Sequence, residues 1–224
     1  MIDFYYNFSP NPMKVALFLE EAGLAYRPVP VDTLLGEQFA PEIVRLNPNG
    51  KLPIIVEDGV AVFDSNAILL YLAEKHGRFL PAPEYRGQLL SWLMFAASGV
   101  GPYSGQAVHF RHYAPDPKDY PLQRYDFEAR RHFTVLDEHL AGRNWMVGDG
   151  YGIVDMAVWG WARNIDFVLG GEFRAGFPNL VRLIDAIEAR PAAAAAVGLR
   201  DRHAFQREFD ERARRTMFRH LKPA

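Results

Sequence analysis

The sequence predicts an alternating α/β domain followed by an all-α domain. Strand-like and helix-like segments alternate over residues 1–77, whereas apolar residues recur at helical spacing from residue 86 onward. Between these parts, residues 78–85 contain two prolines and mark a change in composition, as linkers do. With 224 residues, 49% of them hydrophobic, the chain is long enough to fill two small cores. We therefore expect domains over 1–77 and 86–224, joined by a linker at 78–85.

The first 77 residues predict strands and helices in the order β-α-β-α-β-β-α. The chain begins with aromatic and β-branched residues, as strands do, and the helix that follows stops at Gly23. The pair Asp58 and Gly59, between two short apolar runs, indicates a β-hairpin. Such an order predicts a four-stranded mixed sheet covered by helices. In chain order, the predicted elements cover 2–6, 12–22, 25–32, 37–46, 52–57, 60–64 and 65–76.

The second domain shows helical periodicity almost throughout. Gly99, Gly101 and Pro102 interrupt this periodicity, so we expect two helices rather than one between residues 86 and 113. The five-alanine run at 192–196 predicts a further short helix. The longer predicted helices cover 86–98, 105–113, 122–141, 153–167, 177–189 and 202–221.

The C-terminal stretch 200–222 contains eight Lys or Arg and four Asp or Glu residues. Its apolar residues recur at helical spacing, which predicts an amphipathic helix that packs on the body of the protein and keeps a basic face in solvent. An alternative is that this helix covers the mouth of a pocket. The apolar residues concerned are Phe205, Phe209, Met217 and Leu221.

The composition argues against several classes of protein. A formal net charge of −2 is unusual for a nucleic-acid binder. No apolar run approaches the roughly 18 residues of a membrane span, and Asp3 stands where a secretory signal would be basic. The absence of cysteine excludes disulfides, Cys-ligated zinc and a cysteine nucleophile, and it is compatible with the cytoplasm, where we expect the protein. His109 and His112 have no third ligand nearby, so we expect no metal site.

Three short segments of the first domain carry the candidate chemistry. In "NFSPNPMKV" at 7–15, Ser9 and Asn11 stand just ahead of a helix. In "NGKLPII", Pro53 takes the first position of a strand, where a missing N–H group is tolerated. In "FDSNAILLYL", Asp64 and Ser65 stand at the start of a helix. Helix starts present unpaired N–H groups and positive potential, which suit anions. Taken singly, these residues are also an ordinary loop serine, an edge-strand proline and a helix cap.

Taken together, the three segments give the sequence a family resemblance. Over roughly residues 1–200 the chain resembles the cytosolic glutathione transferase superfamily, in which a thioredoxin-like domain precedes a helical domain. The resemblance rests on the serine between a strand and a helix, on "NPNGKLPII" and on "FDSNAILLYLAEK". The details "SPNP" and "GPYSGQAVHF" are most similar to the bacterial nu-class branch, which has Thr-Pro-Asn in place of "SPN" and is associated with disulfide-bond reductase activity.

The resemblance implies that glutathione is the co-substrate and that the first domain binds it. Ser65 and the N–H groups at its helix start match the residues that bind the γ-glutamyl carboxylate, and Asp64 matches the residue that binds the α-ammonium group. Asp64 is one methylene shorter than the glutamate that is common there. The backbone of Leu52, before a Pro53 expected in cis, would pair with the cysteinyl residue. The glycine carboxylate is expected at Asn49 and Lys51.

The thiol of glutathione would lie at the "SPNP" segment. A free thiol has a pKa of about 8.5, and each unit of lowering requires about 1.4 kcal/mol of preferential thiolate stabilisation. Two charge-assisted hydrogen bonds, at about 1.5–3 kcal/mol each, supply that amount. We expect Ser9 and Asn11 to donate them, together with N–H groups at the helix start. The competing donor is Tyr6, because other branches of the superfamily use a tyrosine near the end of the first strand. The alternative for Tyr5 and Tyr6 is core packing.

Two groups of residues in the helical domain are given separate roles. Gln106, His109 and Phe110 are expected to line the pocket of the second substrate. Gly152 and Asp155 have capping-box spacing at the start of a helix, although the family usually has Ser or Thr at the first position. We therefore expect Asp155 to be structural.

The resemblance leaves three functions open. In a transferase, the bound thiolate attacks a small electrophile in a hydrophobic pocket. In a disulfide reductase, glutathione attacks a disulfide and a second glutathione resolves the mixed disulfide, since the chain has no cysteine of its own. The third is a non-catalytic binding or regulatory protein that uses the same fold. The resemblance also predicts a homodimer whose interface uses the helix after "DS" and the first helices of the second domain.

Overall fold

The protein is described here by a computed structural model that covers residues 1–115 and 119–219. Within residues 1–77, strands and α-helices follow in the predicted order. Helix α1 begins at Pro10, two residues before the predicted start, because proline at the first helical position loses no hydrogen bond. The elements are β1 (Ile2–Tyr6), α1 (Pro10–Ala22), β2 (Tyr26–Pro30), α2 (Pro41–Leu46), β3 (Ile54–Glu57), β4 (Val60–Phe63) and α3 (Ser65–His76).

The strands form a mixed four-stranded sheet, as predicted, and their order in the sheet is β2-β1-β3-β4. Strand β1 is parallel to β2 because helix α1 connects them, and β3 is antiparallel to β4 because a tight turn connects them. The register pairs Tyr5 with Ile54 and Ile54 with Phe63. The residues that follow β1, precede β3 and follow β4 therefore lie together at one end of the sheet.

The described residues after Tyr85 are mostly helical. Helix α7 and the short α8 replace the single helix predicted over 153–167, and a helix forms at the alanine run as predicted. The helices are α4 (Arg86–Phe95), α5 (Gly101–Val108), α6 (Asp119–His139), α7 (Ile153–Ala162), α8 (Ile165–Leu169), α9 (Pro178–Glu188), α10 (Pro191–Gly198) and α11 (Glu211–Met217).

The predicted interruption between residues 86 and 113 is wrong. A π-helical turn, Ala96–Val100, joins α4 to α5, and helical backbone continues through Gly101. The Gly101 N–H donates to the Ala96 carbonyl, so the missing N–H of Pro102 falls where the regular α pattern is already shifted. Gly99 is required by packing, because a Cβ there would lie 2.6 Å from His132 Nε2 on α6.

The predicted helix over 202–221 is also wrong in its first half. Only Glu211–Met217 is helical in the described part of this stretch, and residues 204–210 run without regular structure. The segment instead lies on the first domain, where the backbone N–H of Gln206 donates to Asp32 Oδ2 at 2.6 Å. Leu221, assigned to the same apolar face, lies outside the described residues.

One continuous core joins the two parts of the chain. Helix α1 packs against α7 and α10 of the helical part as well as α3, and buried residues of β1, α1 and α3 belong to the same cluster as those of α7 and α9. A smaller cluster of Val31, Ile43 and Ile54 lies on the other face of the sheet. In the ranges 1–115 and 119–219, no helix is both long enough and apolar enough to cross a membrane.

Candidate functional site

Ser9 is held by an asparagine that the sequence analysis did not select. Ser9 is the N-cap of α1 in extended conformation, and its hydroxyl donates to Asn7 Oδ1 at 2.6 Å. The Ser9 N–H donates to the same oxygen at 3.0 Å, while Asn7 Nδ2 donates to Thr33 Oγ1 at 3.0 Å. Asn7 therefore fixes the loop before α1 and occupies the Ser9 hydroxyl. An Asx residue two positions before a helix cap is the local signal for such a turn.

Asn11 is oriented by a tryptophan from the helical domain. The Trp161 indole N–H on α7 donates to Asn11 Oδ1 at 3.0 Å. Because an indole nitrogen can only donate, the carboxamide oxygen of Asn11 must face Trp161. The NH₂ group is then the part of Asn11 that can donate to a ligand. The separation of 150 positions along the chain explains why no sequence pattern predicted the contact.

The loop before β3 is shaped by a buried asparagine. Asn47 Nδ2 donates to the Lys51 carbonyl at 2.7 Å, and Asn47 Oδ1 accepts the N–H of Asn49 at 3.0 Å. The peptide bond between Leu52 and Pro53 is cis, as predicted. Asn49 and Lys51 are exposed, and Leu52 is half-buried. The candidate residues of this loop thus lie next to solvent on a framework provided by Asn47.

At the start of α3, the cap is Asp64 rather than Ser65. Asp64 Oδ1 accepts the N–H groups of Asn66 and Ala67 at 2.9 and 3.1 Å. Asp64 has a φ of 70° and a ψ of 127°, a backbone conformation that side-chain-bearing residues rarely adopt and that occurs at ligand clamps. Ser65 is 3% exposed, and its hydroxyl accepts a hydrogen bond from Lys14 Nζ at 3.3 Å.

Tyr6 has a different environment from the loop residues. Its ring is fully buried in the main core, and its hydroxyl shares a 2.7 Å hydrogen bond with His203 Nδ1. Burial raises the pKa of Tyr6 to about 12. The side chain of Tyr5 packs instead against the smaller cluster on the other face of the sheet, as strand alternation requires. Both tyrosines therefore contribute to packing.

A cavity of about 1110 Å³ lies beside Ser9. Its walls come from the loop after β1, from α5 and α7, and from residues 200–207 of the C-terminal segment (residues 199–219). The C-terminal segment reaches the cavity by packing Phe205 on Phe8, with ring centroids 5.0 Å apart. The stretch therefore packs on the body of the protein, as the first interpretation expected, and also lines the cavity, as the alternative expected.

The structure does not bring Gln106, His109 and Phe110 into this cavity. Phe110 stacks on Tyr125 at 5.5 Å, and the His109 ring lies 4.6 Å from that of Phe218. The adjacent face of the same helical stretch lines the cavity, with Gly105, Val108 and Tyr113. The helical spacing of these three residues was visible in the sequence, but which face meets the cavity depends on how α5 packs.

Asp155 is buried and has a structural environment, as expected. Its two carboxyl oxygens accept the N–H groups of Met146 and Gly152, each at 2.8 Å, and burial raises its pKa to about 7. A Cβ on Gly152 would lie 3.0 Å from the Phe79 carbonyl, which explains the glycine at this position. His112 stacks on Phe167 with centroids 4.0 Å apart. Among the described residues, no group of three or more His, Cys, Asp or Glu is arranged to hold a metal ion.

Comparison with known proteins assigns the chain to a family, and the fold and the site described above are typical of that family. Residues 8–75 match the family described as "Glutathione S-transferase, N-terminal domain", and residues 122–186 match "Glutathione S-transferase, C-terminal domain". The chain belongs to the glutathione S-transferase family. The predicted resemblance and the predicted fold class, a thioredoxin-like domain followed by an all-α domain, are confirmed.

Individual relatives are similar over most of their length. The disulfide-bond oxidoreductase YfcG of Escherichia coli (strain K12) is 40% identical over 210 residues, which cover 88% of this chain and 94% of YfcG. A glutathione transferase family member from Pseudomonas fluorescens pf-5, solved with two glutathiones bound, has a TM-score of 0.83 at 38% identity and covers 88% of this chain and 92% of its own. A glutathione transferase from Pseudomonas putida, with one glutathione disulfide bound per subunit, has a TM-score of 0.81 at 36% identity, covering 88% and 90%.

Proposed function

We propose that this protein is a glutathione-dependent enzyme that reduces disulfide bonds of small molecules. The observation that carries the proposal is the meeting of three loops at one end of the sheet: the Ser9 loop, which also lines the cavity, the cis-Pro53 loop and the start of α3. Residues 1–77 would bind glutathione, and 86–224 would form the other side of the second-substrate pocket. Family membership and the relative YfcG, a disulfide-bond oxidoreductase, support this reading of the site.

Each part of glutathione has a counterpart among these loops. The Ser65 hydroxyl and N–H would bind the γ-glutamyl carboxylate, because Asp64 already occupies the next two N–H groups of α3. The Asp64 carboxylate would attract the α-ammonium group. The Leu52 backbone would pair with the cysteinyl residue, and the exposed side chains of Asn49 and Lys51 suit the glycine carboxylate.

Asn11 and Ser9 would share the thiolate. The Asn11 NH₂ group is pre-oriented by Trp161, whereas the Ser9 hydroxyl must leave Asn7 Oδ1 before it can donate to sulfur. We therefore give Asn11 the larger role and Ser9 the smaller one. Tyr6 is a weaker candidate because its hydroxyl is buried and bonded to His203.

The proposed reaction uses only thiols that the ligands supply. The bound glutathione thiolate attacks one sulfur of the disulfide, forming a glutathione mixed disulfide and releasing the first thiol. A second glutathione thiolate attacks the glutathione sulfur of that mixed disulfide, forming glutathione disulfide and releasing the second thiol. Two glutathiones are oxidised and one disulfide is reduced. The chain contains no cysteine that could replace either glutathione, and relatives bind two glutathiones or one glutathione disulfide.

Transfer of glutathione to small electrophiles is the second candidate. It is favoured by the apolar side chains around the cavity, which suit an uncharged organic substrate: Phe8, Val108, Trp161, Phe167 and Met217. A non-catalytic role is less well supported, because the oriented Asn11 NH₂ group and the cavity beside Ser9 suit a reacting thiol and a second substrate.

The two reactions are separated by measuring both with one preparation. Reduction of hydroxyethyl disulfide by glutathione would be coupled to glutathione reductase, and conjugation would be followed with chlorodinitrobenzene. We expect the disulfide reaction to have the larger kcat/KM and to decrease in Asn11→Ala but not in Asn144→Ala, an exposed asparagine outside the site. Conjugation alone, without disulfide reduction, would assign the protein to the transferases.

We also propose that the protein acts in the cytoplasm as a homodimer. The cytosolic glutathione pool is kept reduced and provides the co-substrate. Exposed apolar side chains on β4 and α4 support the dimer, since β4 leads into the helix after "DS" and α4 is the first helix of the second domain: Val60, Phe63, Leu90 and Met94.

A further inference from the structure

Lys14 is a buried lysine for which the site described above has no use. It lies on α1, is 1% exposed, and donates from Nζ to Ser65 Oγ at 3.3 Å. Within the described residues this is its one hydrogen bond, and it has no ion pair there. Lysine is almost never fully buried without a charged partner, because its ammonium group loses its hydration. A negative charge near Ser65 would therefore stabilise the Lys14 ammonium group, and the described residues provide none in contact with it.

Helix α7 leaves room for this lysine at one position. A Cβ on Gly160 would lie 2.5 Å from Lys14 Cγ and 3.0 Å from Lys14 Cε. The stem of Lys14 thus crosses α7 at the glycine and brings the ammonium group under the start of α3. The missing side chain at residue 160 and the buried lysine form one arrangement that directs a positive charge to Ser65.

We propose that Lys14 is the positioning residue for the γ-glutamyl carboxylate of glutathione, acting through the Ser65 hydroxyl. This inference rests on the proposed glutathione site. An ammonium group can only donate, so Ser65 Oγ must accept from Lys14 and turn its own hydrogen toward the ligand. A neutral Lys14 amine could accept that hydrogen, and Ser65 would then lose its bond to the carboxylate. The ammonium charge also attracts the carboxylate across the hydroxyl.

The arrangement makes binding depend on pH. Burial lowers the pKa of Lys14 to about 8, partly offset by the charge of Asp64 at the start of α3. A bound carboxylate favours the charged lysine and raises that pKa again. Binding should therefore take up a proton above pH 8, and affinity should fall as the pH rises through this value.

Other charged groups on the elements around Lys14 have partners elsewhere. On α1, Glu20 is bonded to Tyr26 and Glu21 to Arg190, and helix α10 has no charged residue. On α7, Asp155 binds backbone N–H groups, and the Arg163 that follows the helix pairs with Glu188. The remaining charges of α3 lie at its far end, where Glu74 pairs with Arg86, and Lys75 and His76 lie against Glu57.

The test uses S-methylglutathione, which has no thiol, so thiol ionisation does not contribute. Calorimetry between about pH 7 and 9 should show the wild-type Kd rising about tenfold more than that of Lys14→Met, because a group of pKa about 8 is roughly nine-tenths neutral at pH 9. The ammonium group of the ligand also titrates in this range, but it affects both proteins equally. Comparing the change in Kd of wild type with that of Lys14→Met therefore cancels its contribution. At pH 7 we expect Lys14→Met to bind about tenfold more weakly. Calorimetry in buffers of different ionisation enthalpy measures the number of protons taken up on binding. At pH 9 this number should be smaller for Lys14→Met than for wild type.

Two further comparisons isolate the carboxylate and the charge. The γ-aminobutyryl analogue of S-methylglutathione lacks only the α-carboxylate, so wild type and Lys14→Met should bind it equally. Lys14→Arg keeps a charge at every pH, so its affinity should not show the lysine-dependent fall. Lys75→Met, an exposed lysine on α3, is the matched control and should behave as wild type.

The outcomes separate the inference from the site on which it rests. If wild type does not bind S-methylglutathione, or binds it unchanged after Ser65→Ala, the proposed glutathione site is wrong. If Ser65→Ala weakens binding but Lys14→Met equals wild type at both pH values, the role of Lys14 is wrong. Should Lys14→Met not fold, a Lys14→Arg profile that falls with pH as steeply as wild type would overturn the inference by itself.

Discussion

At the scale of single residues, the proposed activation of the thiol depends on the orientation of Asn11. We expect Asn11→Ala to raise the pKa of bound glutathione by about one to two units, since it removes a charge-assisted bond of about 1.5–3 kcal/mol. Ser9→Ala should raise it less, because Asn7 already accepts the Ser9 hydroxyl. Tyr6→Phe should leave it nearly unchanged. The measurement is the ultraviolet absorbance of the bound thiolate as a function of pH. A shift confined to Tyr6→Phe would assign activation to the tyrosine.

Trp161→Phe provides a control within the same site. It keeps an aromatic ring at the cavity wall but removes the N–H that fixes the Asn11 carboxamide. We expect a smaller rise in the thiol pKa than for Asn11→Ala, because the amide can still adopt the productive orientation some of the time. A wild-type pKa in Trp161→Phe would mean that the indole does not position Asn11.

Residues of this site differ in how far the sequence could predict them. Ser9, Pro53 and Ser65 belong to short segments whose spacing is visible in the chain, so their positions followed from pattern and resemblance. The contact of Lys14 with Ser65 spans 51 residues and forms only when α1 packs on α3, and the contact of Trp161 with Asn11 spans 150 residues and forms only when the two domains pack. Neither has a local signal, since a lysine in a helix is ordinarily a surface residue.

At the scale of elements, the start of α7 depends on one carboxyl group. Asp155→Ala should lower the free energy of unfolding by roughly 2–5 kcal/mol, because two buried N–H groups lose their acceptor. Chemical denaturation followed by circular dichroism measures this loss. Asp149→Ala, in an exposed loop nearby, should change stability little. A loss below 1 kcal/mol would contradict the structural role.

The pH dependence of Asp155 has a definite sign. Burial raises its folded pKa from 3.8 to about 7, so the unfolded chain ionises first, and the contribution of this group to stability decreases as the pH rises through that interval. Asp155→Asn cannot ionise. Its stability relative to wild type should therefore improve between about pH 4 and pH 7, and a constant difference over this interval would show that the carboxyl does not titrate there.

The C-terminal segment should affect the second substrate more than glutathione. Phe205→Ala removes the ring that packs on Phe8 beside the cavity. The next residue, Gln206, should keep its backbone hydrogen bond to Asp32 in this variant. We expect KM for the disulfide to rise about three- to tenfold with a smaller change in KM for glutathione, since about 1 kcal/mol of aromatic packing is lost. Phe127→Ala, an exposed phenylalanine on α6, is the control. Equal changes in both KM values would indicate general loosening of the protein instead.

The elements that the sequence predicted wrongly share one cause. Glycine and proline at 99–102 were taken as a break, but Gly99 serves close packing on His132 within a continuous helical stretch. Residues 202–210 have helical spacing, yet contacts to Tyr6 and Asp32 hold them in an irregular course. In both places tertiary contacts override local preference. The order of elements along the chain, the mixed four-stranded sheet and the hairpin were predicted correctly because they follow from short-range alternation and one turn.

At the scale of the whole molecule, the distribution of exposed apolar side chains argues for a dimer. Phe63 at the end of β4, just before α3, and Met94 on α4, the first helix of the second domain, are 43% and 49% exposed. Such residues cluster in the buried centre of subunit interfaces, where each side contributes roughly 800 Å². A pair of chains that meets over these elements would cover them and place the glutathione sites beside the subunit cleft. The monomer alone leaves this apolar surface in water.

Sedimentation velocity at micromolar concentration should therefore give twice the 25.4 kDa mass of one chain. Phe63→Glu with Met94→Glu should shift the protein toward the monomer, because a charge desolvated at the centre of an interface costs several kcal/mol. Phe127→Glu, at a phenylalanine on α6 that is 59% exposed, should remain dimeric. Glutathione affinity of the monomeric variant then shows whether the partner subunit contributes to the site. A wild-type protein that sediments as a monomer at this concentration would leave β4 and α4 without the proposed partner.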